Sequence, residues 1–210
     1  KYGWRTRSIR WSIAVLIVVV PLFLWLNRAE AARLRDDPAQ TRSAIRKWFA
    51  FVTLYLAALE AMLGTSGQIR GIGETGLDYF RTSDPEGQAR QRVAFAAHIG
   101  WAKRAGLALV IHDRDAHRDV LDVLDAEGAP ERVMMHCFSG DADFARECLD
   151  RGFWLSFPGP VTFKPNEALR EALDLTPDDR LLVETDAPYL TPVPLRGKPN
   201  APYLMPHTVR

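Results

Sequence analysis

Residues 108–112, Ala-Leu-Val-Ile-His, and residues 133–136, Val-Met-Met-His, are the stretches on which the reading of this chain turns. Each is a short apolar run that ends in an imidazole. Two more runs of the same kind flank them. Ile69–Gly73 leads into Glu74, and Leu181–Val183 leads into Glu184-Thr185-Asp186. All four are too short and too apolar to alternate, so each is expected to be a buried parallel strand. A fifth strand is expected at 153–157, and the others extend over 108–112, 132–137 and 180–185. Between them the spacing predicts helices over Pro85–Ala105, 116–127, 141–151 and 165–174. Asp84-Pro85-Glu86 is a helix start and Gly106 a helix stop. Parallel strands joined by helices present their C-terminal ends on one face, where α/β enzymes place their chemistry. Two imidazoles and two carboxylates meeting there suggest a metal-dependent hydrolase.

The bulk numbers are compatible with that reading. A chain of 210 residues fits one domain, or one domain with an appendage, and 47% hydrophobic residues suffice for a core. The net charge of +1 conceals an asymmetry. Residues 1–64 hold 10 Lys/Arg against 4 Asp/Glu, and residues 65–210 hold 17 against 22. The half with the candidate site is therefore acidic and is no electrostatic trap for nucleic acid by itself, although bound divalent metal would offset part of that charge. The two cysteines, Cys137 and Cys148, build neither a disulfide framework nor a thiolate zinc cluster, and reduced thiols in a cytosolic domain are the plain reading.

The first 64 residues differ in character. No charge lies between Arg10 and Arg28, and Trp11 and Trp25 sit near the two ends. Residues 11–27 read as a transmembrane helix of about 26 Å, kinked at Pro21. A signal peptide is the alternative, with Ala29-Glu30-Ala31 as its cleavage site. Residues 48–63 form a second apolar stretch, interrupted by Glu60, that reads as a second span or an interfacial helix. Gly64-Thr65-Ser66-Gly67 is a linker by composition. The domain division is thus 1–64, a hydrophobic and basic membrane-helix segment, and 65–210, a βα domain.

The motifs within that domain resemble those of the TatD family. They are Gly71-Ile72-Gly73-Glu74-Thr75-Gly76-Leu77-Asp78-Tyr79, Ile111-His112-Asp113-Arg114, His136-Cys137-Phe138-Ser139-Gly140, Ser156-Phe157-Pro158-Gly159-Pro160 and Glu184-Thr185-Asp186-Ala187-Pro188-Tyr189. The resemblance runs from about Ile69 to Arg210. It implies a TIM-barrel hydrolase that depends on a divalent metal (Mg, Mn or Zn), acts on DNA or another phosphodiester, and has its catalytic domain in the cytoplasm. It also implies that Glu74, His112 and His136 hold one metal, that Glu74 bridges to a second, and that Asp186 is both ligand and catalytic base. Glu184 shares the strand parity of Asp186 and is given no role.

Weaker candidates surround these. Asp113 and Arg114 are expected on a loop after His112, where Arg114 would contact a phosphate. Arg196, Lys198 and Asn200, in the loop after Tyr189, are placed to meet a phosphate backbone, or else form an ordinary basic loop. His117 is expected near a helix start and His98 within a helix. No protein partner is inferred.

One element of the resemblance is absent. The family opens with a strand ending in His-x-His, which completes the other metal subsite. This sequence has five histidines, at 98, 112, 117, 136 and 207, and no two are separated by one residue. Five strands are counted, where a closed barrel needs eight. The fold class expected is therefore α/β, an incomplete TIM-barrel-like domain lacking its first strands, preceded by one or two hydrophobic helices. Activity with one metal, completion in trans, and no activity all stay open. The rival to an enzyme is a non-catalytic membrane protein carrying a barrel remnant, the product of a composite or truncated gene. An amidohydrolase acting on C–N bonds is a third reading, because the same ion polarises carbonyl and phosphoryl oxygens.

Overall fold

In a computed structural model of the chain, residues 69–210 are described. They form five parallel strands in sequence order, β1 (Gly71–Asp78), β2 (Ala108–Arg114), β3 (Val133–His136), β4 (Trp154–Phe157) and β5 (Leu181–Val183). The connecting helices are α1 (Pro85–Ala105), α2 (His117–Glu127), α3 (Ala142–Asp150) and α4 (Glu167–Leu175), and a short α5 (Met205–Val209) closes the chain. Both neighbours of every inner strand are its neighbours in sequence. This is the arc a βα repeat makes when each crossover has the same hand.

Local chemistry explains the helix ends. Asp84 accepts the Gly87 amide at 2.6 Å as the α1 N-cap, with Pro85 in the first turn, and Gly106 ends the helix in the left-handed conformation. Asp141 caps α3 in the same way through Phe144. The strands differ from their expected form. Burial along β2 and β3 alternates: Leu109, Ile111, Val133 and Met135 are buried, whereas Val110, His112, Met134 and His136 are half-buried. The buried set packs with Phe95 and Ile99 of α1, Leu121 and Leu124 of α2, and Phe144 and Cys148 of α3. One face of the sheet is thus the hydrophobic core, and the histidines lie on the other.

β1 also corrects the expectation. The strand starts at Gly71 and runs through Glu74 to Asp78 instead of ending before Glu74. Its register against β2 shifts between Ile72 and Thr75. Two residues, Gly73 and Glu74, there oppose one, a bulge that re-aims the Glu74 side chain. Past the bulge, β1 lies very close to β2: a Cβ on Gly76 would stand 1.9 Å from the His112 carbonyl oxygen. Glycine at 76 is therefore required by the neighbouring backbone. β2 likewise continues past His112, so Asp113 and Arg114 are strand residues and not loop residues.

Residues 11–27 and 48–63, expected to be membrane helices, and the boundary at 64/65 lie outside the described residues. Among the described residues no helix is long and apolar enough to cross a membrane.

Candidate metal centre at the carboxyl ends of the strands

His112 and His136 are register partners across β2 and β3, so their rings stand side by side on the face away from the core. Glu74, lifted by the β1 bulge, reaches both. Its Oε1 lies 2.7 Å from His112 Nδ1 and 3.7 Å from His136 Nε2. Asp186, just past β5, has its Oδ1 3.7 Å from the same His136 Nε2. The structure therefore brings together all four residues that the sequence singled out for metal binding. Glu74, His112 and Asp186 line a cleft of about 930 Å³ whose wall also includes Asp78, Arg114 and Cys137.

Two further carboxylates belong to the cluster. Asp78 Oδ2 is 3.3 Å from His112 Nε2, so His112 has a carboxylate at each ring nitrogen. The signal for Asp78 lay in strand parity. It shares the face of Gly76, two residues before it, once β1 is continued through the bulge. The end of β1 is held in place by Gln91 of α1, which accepts from the Asp78 amide at 2.9 Å and donates to its carbonyl at 3.2 Å. Glu184 is the second addition. Its Oε2 is 2.6 Å from His136 Nδ1, and its Oε1 accepts from the Cys137 amide.

The electrostatics follow from this crowding. The hydrogen bond to Glu184 raises the pKa of His136 against the opposing effect of burial, and the charges of Glu184, Glu74 and Asp186 add to the rise. Burial raises the carboxyl of Asp186 above its ordinary value. The imidazoles of His136 and His112 oppose that shift, and Glu184 and Glu74 reinforce it. The Cys137 thiol is pushed up to about 12, mainly by burial, which removes it as a nucleophile at neutral pH. Cys137 and Asp186 both adopt left-handed backbone, with φ of 48° and 54°. For residues other than glycine this costs on the order of 1–3 kcal/mol each and is concentrated at functional sites.

The donor set fits a divalent cation in chemistry and nearly in distance. Ligands at about 2.1 Å from one ion stand roughly 3.0–3.4 Å from one another. The observed separations of 2.7 and 3.7 Å bracket that range. Among the described residues no three such side chains already surround one point at ligand distance. The imidazoles instead contact the carboxylates directly.

The weaker candidates divide. Arg114 lines the cleft, its guanidinium 3.8 Å from the centre of the exposed Phe80 ring. Asp113 points to the core side, is buried, and holds His117 at 2.7 Å and the Ala116 amide at 3.3 Å. His117 is thus partnered, and stacks on Phe144 at 4.3 Å. His98 pairs with Thr75 at 2.7 Å. Arg196 lies over Phe163 at 4.0 Å, and neither it nor Lys198 lines the cleft. Asn200 is buried, and its amide donates to the carbonyls of Thr185 and Tyr189 at 2.7 and 2.8 Å. Its side chain is spent on bracing the loop that carries Asp186, which leaves it no amide proton for a phosphate.

The parallel α/β sheet thus brings imidazoles and carboxylates together on one face. The model of the family described as TatD related DNase matches residues 40–210, and the chain belongs to that family. The match begins ahead of the motifs, before the second apolar stretch at 48–63. The chain is 55% identical over 146 residues to an uncharacterized metal-dependent hydrolase, TatD, of Mycobacterium tuberculosis, covering 68% of this chain and 55% of that protein. It is 47% identical over 142 residues to the uncharacterized metal-dependent hydrolase YabD of Bacillus subtilis, covering 67% and 54%. The chain spans about half the length of the curated relatives it matches. Among solved structures, YjjV, a TatD homolog from Escherichia coli, matches with a TM-score of 0.65 and 28% identity, over 71% of this chain and 57% of that one.

Proposed function

We propose that this chain carries a divalent-metal-dependent phosphodiesterase site of the TatD type, acting on DNA or a related phosphodiester. The observation that supports it is the meeting of Glu74, His112, His136 and Asp186 on one face, within 2.7–3.7 Å of their neighbours. The relatives named above are described as metal-dependent hydrolases.

Glu74, His112, His136 and Asp186 would hold the cation. Such an ion supplies Lewis acidity, which polarises a phosphoryl oxygen and acidifies water. The chain's own residues do the rest. Asp186 accepts the proton of the attacking water. Arg114, on the wall of the cleft, pairs with the non-reacting phosphate oxygens. Mg, Mn and Zn all suit part of the donor set, and the two imidazoles favour the transition metals.

The test is hydrolysis of bis-nitrophenyl phosphate and of single-stranded DNA by the full chain, stripped with chelator and resupplied with Mg²⁺, Mn²⁺ or Zn²⁺. Turnover that returns with metal and falls to the buffer background in His136→Ala is the expected result. No stoichiometric cation by calorimetry would remove the proposal. A second reading, a barrel remnant without activity, is favoured by the absence of any His-x-His pair. Metal binding without turnover would support it. Attachment to membranes through residues 11–27 and 48–63 rests on hydropathy alone, and co-sedimentation of the full chain with phospholipid vesicles tests it. Without such attachment the catalytic domain belongs in the cytoplasm, as the resemblance implies.

A further inference from the structure

Glu184 directly follows the last strand, and its side chain is 16% exposed. Its carboxylate meets two donors at once. Oε2 lies 2.6 Å from His136 Nδ1, and Oε1 accepts from the backbone amide of Cys137. The Cys137 amide can only donate, and an ionised carboxylate can only accept. The hydrogen of the neutral His136 ring therefore resides on Nδ1, and the lone pair on Nε2. Nε2 is the atom that faces Glu74 Oε1 and Asp186 Oδ1, each at 3.7 Å.

We propose that Glu184 is a positioning residue. It grips His136 from behind, fixes the ring as the Nδ1–H tautomer, and so aims the unprotonated Nε2 into the carboxylate cluster before any cation arrives. The inference rests on the reading of that cluster as a metal site, but its first half, the tautomer, stands apart from it.

The spacing of Glu184 and Asp186 makes the arrangement possible. The two residues sit on either side of Thr185, and the chain departs from extended conformation at Asp186. Glu184 thus reaches the back of the ring while Asp186 reaches its front. Between β3 and β5 runs β4, where Ser156 pairs in register with Leu182 and shares the face of Glu184. Serine is small enough to let the carboxylate pass over β4 to His136. His112 lacks such a grip, because both its nitrogens meet carboxylates of the cleft wall, Glu74 and Asp78. The two imidazoles are therefore not equivalent. His136 has a carboxylate within 3.5 Å at Nδ1 alone, whereas His112 has one at each ring nitrogen.

Glu184→Gln separates this role from ordinary packing. Glutamine keeps the shape but offers one acceptor oxygen for two donors. Serving the Cys137 amide turns its NH₂ toward His136 Nδ1, which drives the ring to the Nε2–H tautomer and blocks the metal-facing atom. The experiment is long-range ¹⁵N–¹H NMR of the chelator-treated full chain, above the pH at which the imidazoles titrate, with His136 assigned by its loss in His136→Asn. The expected result is Nδ1–H for His136 in the wild type, and Nε2–H or a mixture in Glu184→Gln. Zn²⁺ affinity by calorimetry should fall about 10–100-fold in the variant, the usual effect of losing a partner that orients a ligand. A wild-type His136 in the Nε2–H form overturns the proposal, and needs no variant to be seen. So does a Glu184→Gln protein with the wild-type tautomer and Zn²⁺ affinity. A wild type that shows Nδ1–H but binds no cation upholds the tautomer assignment and removes the proposed function instead.

Discussion

Along β2, Leu109 and Ile111 are fully buried against the helices, whereas Val110 and His112 face the other way and stay partly exposed. β3 repeats the pattern, with Met135 on the core side and His136 opposite. One set of strands therefore serves two surfaces with different physics. On the core side, apolar side chains of α1 to α4 exclude water, and shape decides what fits. On the other side, titratable groups crowd at 2.6–3.7 Å, and each is tolerated because another satisfies it. Stability comes from the first surface, and the second draws on it: left-handed backbone at Cys137 and Asp186 is strain that the packed core sustains.

This division can be broken by substitution. The largest difference is expected between neighbours. Ile111→Ala should cost about 2–5 kcal/mol in urea unfolding, while His112→Ala costs less than about 1 kcal/mol yet abolishes tight Zn²⁺ binding. Equal costs at the two positions would refute the two-surface description. Gly76→Ala is the change that should harm both sides. Its Cβ would strike the His112 carbonyl, so the strands must part, at roughly 1–3 kcal/mol, and Zn²⁺ affinity should fall with stability.

Asn200→Ala comes next. Two loop carbonyls lose their donor, at about 1–2 kcal/mol, and hydrogen exchange should quicken across 185–201 while the core strands keep their protection. The smallest effect is expected at His117, where only its pH dependence is diagnostic. The hydrogen bond to Asp113 raises its pKa against the effect of burial, with the charges of Asp113, Asp141 and Asp115 adding to the rise. Stability from a raised imidazole is present in full below the unfolded value of about 6.5, and is lost as pH climbs through the folded one. Melting curves of His117→Gln and wild type should therefore differ more at pH 5.5 than at pH 9. A difference that grows with pH would overturn the pairing.

Much of this was legible in residues alone. Helix α1 occupies Pro85–Ala105 as predicted, because Asp84, Pro85 and Gly106 act locally through capping and backbone conformation. Four of the five strands hold the apolar runs that lead into chemistry-bearing residues, and the fifth, β4, lies within the expected 153–157. The family, too, was legible, since its motifs are contiguous. Sequence went astray where a strand's length depends on its neighbour. β1 and β2 continue beyond the residues expected to end them, because pairing between Gly76 and His112, and between Asp78 and Arg114, extends both. Asn200 read as a surface contact because an amide in a basic loop has no sign of burial written beside it.

What the sequence by itself determined is which groups are available and which strand carries each: Glu74, His112, His136 and Asp186 were named from local pattern and order. What tertiary structure decided is how those groups relate. Glu184 lies 48 residues from His136 in the chain and 2.6 Å from its ring in space. Asp78 meets His112 because a bulge and a missing Cβ let two strands close together. Hydrogen-bond direction, tautomer and pKa depend on such approaches, and distance in space is the one quantity that a linear order of residues does not contain.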